Sequence, residues 1–205
     1  MFRNSILYFF STGLNKGLPF LLLPLLTRYI GVEEFGYLGV AIVFASILSL
    51  IFGFNPTLFI IANFYKIEKN IFGKYVFNIL ILTIICSVFF GSILLLFSDS
   101  LLQYGITKGL VFVIIFMAIT RVLISIGLVI LQMEKRAWDY LKVSLAFGVP
   151  LFALIFISIV NYNLGWMSVF ISELIVGIII TGIIINFLYK NNYLIFGINK
   201  EYFKE

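Results

Sequence analysis

Apolar residues along this chain fall into six long runs separated by short polar stretches: residues 5–30, 36–63, 75–97, 109–133, 143–160 and 166–189. A helix needs roughly 20 mostly apolar residues, with a lower limit near 17, to cross about 30 Å of hydrocarbon. Strands of a membrane barrel would instead alternate in polarity over about ten residues, and these runs are too long and too uniformly apolar for that. The pattern predicts an all-α integral membrane protein. Its body is a six-helix transmembrane bundle over residues 1–189, followed by a polar tail at 190–205.

Composition points the same way. The chain is 62% hydrophobic and 11% charged, against roughly 45–50% and 25% in soluble domains. A water-soluble fold of 205 residues could not hide that much apolar surface, because its large exterior must be polar. Arg3 before an apolar stretch has the outline of a secretory signal, but the run is too long. It also carries Lys16, Pro19 and Pro24 and lacks a small-x-small cleavage pattern, so it is expected to stay as the first span. The lone Cys86 permits no disulfide framework or thiolate metal site within the chain, and the absence of His removes the commonest general base and metal ligand.

The net charge of +5 resides in short connections rather than on a continuous basic face, so no nucleic-acid partner is expected. It reads as a topology signal, since cytoplasmic loops carry the excess of Lys and Arg. Placing the N-terminus inside puts ten of the 14 basic residues on the cytoplasmic side, among them Lys66, Lys69, Lys74, Lys135, Arg136, Lys142 and Lys190. Only Arg28 and Lys108 then lie outside. Both termini are expected to be cytoplasmic.

Helix breakers punctuate the runs. Pro19 and Pro24 in the first, Gly53, Asn55 and Pro56 in the second, and Gly148 and Pro150 in the fifth predict local kinks, as tolerated irregularity or as hinges. Gly13 and Gly17 form a GxxxG, expected to permit close packing within the chain. Glu33 and Glu34 are placed to meet the positive end of the second helix dipole.

Three ionisable residues fall inside spans, each costing at least ~2.5–3.5 kcal/mol if it faced lipid at the bilayer centre. Lys16 and Arg121 lie near the middle of the first and fourth spans. Glu173 lies about 6 Å outward of the middle of the sixth, at 1.5 Å per residue. Polar neighbours share their faces: Arg121 with Ser125 and Gln132, Glu173 with Gly177 and Thr181, and Lys16 with Ser11 and Asn15. A shared cavity between helices is the cheapest place for all three charges. Arg121 and Glu173 could form a buried salt bridge that only locks two helices. Alternatively, two cations against one anion leave a positive surplus for an anionic substrate, with Arg suited to bidentate phosphate contact and Lys to a point charge. Glu173 is also a candidate coupling site for a proton or cation. No P-loop, HExxH or paired carboxylates occur, and the loops are too short to carry an active site, so neither catalysis nor a cofactor or metal is expected.

The stretch Asn15 to Gly36, NKGLPFLLLPLLTRYIGVEEFG, resembles the N-terminal signature of polysaccharide flippases. These are the O-antigen and capsule repeat-unit translocases of the multidrug/oligosaccharidyl-lipid/polysaccharide superfamily. The resemblance rests on Lys16, the run Leu21 to Gly31, the acidic pair Glu33 and Glu34, and Phe35 with Gly36. GFNPTL from Gly53 to Leu58 stands where such proteins carry a Gly-rich break. The resemblance implies one lobe of a two-lobe carrier in the bacterial inner membrane, moving a polyprenyl-diphosphate-linked oligosaccharide, with membrane lipids and a second six-helix lobe as partners. Lys16, Arg121, Glu173, Asn15, Ser125 and Gln132 would line its cavity, and the tail at 190–205 resembles the inter-lobe linker. Family members usually have twelve or more helices, so the chain is expected to be a flippase N-terminal lobe. Alternatives are a cation-coupled multidrug exporter lobe, which would want acidic cavity residues, and a structural or nonfunctional truncated fragment.

Overall fold

The computed structural model describes residues 2–53, 55–102 and 107–197, with the side chains of 2–5, 14–16, 19, 53 and 101 outside the described set. In chain order the helices are α1 (Phe2–Tyr29), α2 (Val32–Gly53), α3 (Pro56–Asn63), α4 (Lys69–Leu96), α5 (Ser98–Leu101), α6 (Lys108–Met133), α7 (Ala137–Val160) and α8 (Met167–Lys190). Among the described residues there are no strands. Among the described residues five helices, α2, α4, α6, α7 and α8, are long and apolar enough to cross a membrane, and Phe20–Tyr29 of α1 adds a shorter apolar stretch. With 28 residues, α1 as a whole is about 42 Å long. Large apolar side chains such as Phe20, Ile84, Phe89 and Ile178 point outward from the bundle, as they must when the solvent is acyl chain rather than water. The molecule is an all-α, multi-pass membrane bundle.

Most element boundaries follow the apolar runs, and the departures have physical causes. The second run is two helices rather than one kinked helix. Pro56 has no N–H to donate and occupies the first turn of α3, and Asn55 before it is left-handed at φ 53° and ψ 59°, a conformation Asn tolerates better than most residues. The Thr57 hydroxyl donates to Asn55 Oδ1 at 2.6 Å. By contrast α1 runs on through Pro19 and Pro24, and α7 through Pro150. Helices α4 and α7 begin six residues before the runs at 75 and 143, because charged side chains there extend past the apolar slab without ending the helix.

Helix α6 is central and touches α2, α3, α4, α7 and α8, while α1 lies chiefly against α7. The α6–α8 contact is a parallel seam of small residues and knobs. A Cβ placed on Gly177 would lie 2.9 Å from Thr120 Oγ1, and one on Gly127 would lie 2.5 Å from Ile184 Cγ2. Seven residues separate the two positions on each helix, so the same pairing recurs after two turns. The GxxxG of α1 has no such role among the described residues, none of which lies within 4 Å of a Cβ at Gly13 or Gly17. The expected close approach is absent because α1 buries a different face, carrying Ser11, Leu22 and Leu26.

Two apolar cores are stacked along the bundle. The first includes Leu38, Ala45, Phe52, Met117, Ala118, Ile155 and Phe170, with Leu22, Leu26 and Ile30 from α1. The second includes Ile60, Phe72, Val76, Val122, Ile126, Ile184 and Tyr193. On α6 the change falls between Ala118 and Val122, and on α8 between Phe170 and Val176. Thr120, Arg121, Ser172 and Glu173 occupy the gap.

After α8 the chain folds back over one end of the bundle. Tyr193 and Leu194 are buried. The Tyr193 ring packs among Phe64, Phe72 and Phe187, and its hydroxyl donates to Glu134 Oε1 at 2.7 Å. Burial, and then the bond to Glu134, hold that phenol well above its usual pKa. Lys69 Nζ sits 4.4 Å over the ring, and the Ile195 N–H donates to the Gly73 carbonyl at 3.3 Å. Residues 198–205, the remainder of the expected tail, lie outside the described residues.

Candidate functional site

The polar layer between the two cores is built around Arg121 of α6 and Glu173 of α8. Parallel packing that sets Thr120 against Gly177 leaves Arg121 about one turn beyond Glu173 along the bundle. Side chains on a helix lean toward its N-terminus, so the long Arg121 side chain reaches back to the level of the carboxylate. The contact is bidentate: Arg121 Nε donates to Glu173 Oε1 at 2.5 Å, and Nη2 donates to Oε2 at 2.9 Å. The side chains retain 28% and 11% of their exposure, so the pair is largely withdrawn from the exterior, and Arg121 is the more open partner.

What remains open faces a cavity of about 390 Å³. Leu18 and Leu22 of α1 form one wall, and Ile124, Ser125 and Leu128 of α6 form another. The wall on α7 carries Ser144, Phe147, Leu151 and Phe152. Among the described residues the lining is mainly apolar, and Arg121, Glu173, Ser125 and Ser144 are its polar members. The Ser125 hydroxyl already donates to the Val122 carbonyl at 2.7 Å. Ser144 is 3% exposed, and its hydroxyl oxygen is buried with no hydrogen-bond partner among the described residues, which costs free energy.

Of the residues singled out from sequence, the structure thus brings together Arg121, Glu173 and Ser125. Gln132 is exposed near the end of α6 and is not a lining residue. Eleven residues of rise carry it about 16 Å from Arg121, too far for a shared face to imply a shared cavity. Gly177 serves the α6–α8 seam, and Thr181 is buried away from the cavity with an unpartnered hydroxyl. Ser11 is fully buried and donates to the Leu7 carbonyl at 2.7 Å. The side chains of Asn15 and Lys16 lie outside the described set. Ser144 was not legible as a site residue, although its spacing of four from Gly148 marks a small-residue face on the fifth run.

The fold and the buried ion pair define a multi-pass membrane protein with a polar site inside its bundle. The chain belongs to the polysaccharide biosynthesis protein family, whose model matches residues 1–204. Among curated proteins it is similar to a protein of the Lsg locus of Haemophilus influenzae. The two are 28% identical over 145 residues, covering 68% of this chain and 33% of that protein. It is equally similar to an uncharacterized membrane protein of the same species, 28% identical over 141 residues, covering 68% of this chain and 32% of the relative. The matched stretch therefore spans about a third of the length of these relatives. No solved structure matches.

Proposed function

We propose that the chain is the N-terminal lobe of a carrier that moves a polyprenyl-diphosphate-linked oligosaccharide across the bacterial inner membrane for surface polysaccharide assembly, and that it is not an enzyme. One observation carries this reading. A chain of the polysaccharide biosynthesis family holds a bidentate ion pair between two apolar cores, and the pair opens into a cavity between α1, α6, α7 and α8. Ionisable groups at such depth mark substrate or ion pathways. A bundle of this kind, joined to a second lobe, is suited to alternating access about a site between helices. The basic loops at Lys66, Lys135 and Arg136 support a cytoplasmic position for that end and for both termini. Lys16 and Asn15 on α1 would meet the diphosphate, while Arg121, Glu173 and Ser125 form the inner polar surface.

In cells whose surface polysaccharide depends on this protein, Lys16→Ala and Arg121→Ala should each abolish surface polysaccharide while membrane insertion persists. Normal surface polysaccharide from both variants would refute the carrier reading. Loss of drug resistance on Glu173→Gln, with polysaccharide unchanged, would point instead to a cation-coupled multidrug exporter.

A further inference from the structure

Resting on the carrier reading, we infer that the Arg121–Glu173 pair binds an uncharged sugar ring of the substrate rather than its phosphates. The reason is charge balance at the pair. Bidentate contact uses two of the five guanidinium N–H donors and one lone pair on each carboxylate oxygen, leaving donors and acceptors on both partners. The two formal charges cancel within 3 Å of each other. An incoming phosphate would meet a pair of zero net charge, with the Glu173 carboxylate directly behind the more open guanidinium. To take the Nε/Nη2 edge for itself it would have to displace a carboxylate that is only 11% exposed and leave it buried without a partner. A sugar hydroxyl can instead donate to the carboxylate and accept from the guanidinium at once, with the pair intact.

The rest of the cavity suits the same ligand. Phe147 and Phe152 offer apolar surface for the C–H face of a ring, and Ser125 adds a half-buried hydroxyl beside the pair. The volume of about 390 Å³ is near the lower end of the range for small-molecule sites, room enough for one ring. Because the polar groups cluster on one side and the remaining wall is apolar, an acetamido sugar fits well, its methyl group lying against leucine and its amide facing the polar side.

The test uses Ser125→Cys in a Cys86→Ala background, with the full chain in nanodiscs and a maleimide reagent reporting on the introduced thiol, since Ser125 lines the cavity beside the pair and is only partly buried. The methyl glycoside of N-acetylglucosamine, at tens of millimolar, should slow labelling severalfold. Inorganic pyrophosphate at matched ionic strength should leave it unchanged. Adding Arg121→Met with Glu173→Leu should abolish protection without abolishing labelling. The inference is overturned if pyrophosphate protects and the glycoside does not, if neither protects, or if protection survives loss of the pair. Should Ser125→Cys fail to fold, the unsubstituted chain decides by its thermal shift: stabilisation by the glycoside alone supports the site, and stabilisation by pyrophosphate alone or by neither overturns it. Protection by the glycoside together with normal surface polysaccharide from Lys16→Ala and Arg121→Ala would uphold this site and sink the carrier reading. Pyrophosphate protection with polysaccharide lost would do the reverse.

Discussion

Removing one partner of the Arg121–Glu173 pair should damage the fold more than removing both. Arg121→Ala leaves a carboxylate with 11% exposure and no counter-ion between two apolar cores. Breaking a buried pair in this way costs about 3–5 kcal/mol. Arg121 itself keeps 28% exposure, so the loss belongs near the lower end, about 3 kcal/mol. For a chain of this size that corresponds to a melting point lower by roughly 6–12 °C. Arg121→Met with Glu173→Leu removes both charges and refills the space, and such replacements are commonly neutral or stabilising by about 1–4 kcal/mol. Thermal unfolding followed by circular dichroism in one detergent, with parent, single and double variants side by side, measures the difference. A single variant that melts within about 2 °C of the parent, or a double variant less stable than the single, would refute the reasoning.

The remaining predictions concern packing at other levels. Gly127→Ala should destabilise by about 1–3 kcal/mol, because its Cβ would lie 2.5 Å from the branched Ile184 side chain. Adding Ile184→Ala should recover part of that loss in a double-mutant cycle on melting temperature. Tyr193→Phe should cost about 1–2 kcal/mol through loss of the bond to Glu134. Because burial and Glu134 raise the Tyr193 pKa in the fold, the parent's advantage over Tyr193→Phe should be constant below about pH 10. It should shrink as pH rises further, toward the folded-state value. Chemical unfolding at pH 7, 9 and 11 checks both the sign and the window.

Much of this architecture was legible in the sequence, because in lipid the run length of apolar residues nearly determines where helices lie. Arg121 and Glu173 were legible for the same reason: a charge inside a 20-residue apolar run must find company. What periodicity could not convey was depth and direction together. It grouped Gln132 with Arg121 because they share a face, although the rise separates them, and it gave the Gly13–Gly17 stripe an internal partner that the packing of α1 does not provide. Ser144 escaped notice because a serine in a membrane helix ordinarily satisfies itself on a carbonyl one turn back, as Ser125 does on Val122, and only coordinates reveal one that does not. The break at Gly53 to Pro56 was visible as a weak point, but whether it bends or stops the helix depended on Asn55 adopting the left-handed conformation.

The seam between α6 and α8 has a mechanical consequence. Two helices whose knobs seat in each other's glycine notches at successive levels resist sliding, since a shift of even one residue would drive Ile184 into backbone where Gly127 now yields. The cavity's side toward α6 and α8 is thus its stiff side. Widening that admits a ligand is therefore expected from α1 and α7, which lean on each other and whose described lining side chains, Leu18, Leu22, Phe147, Leu151 and Phe152 among them, are mostly apolar.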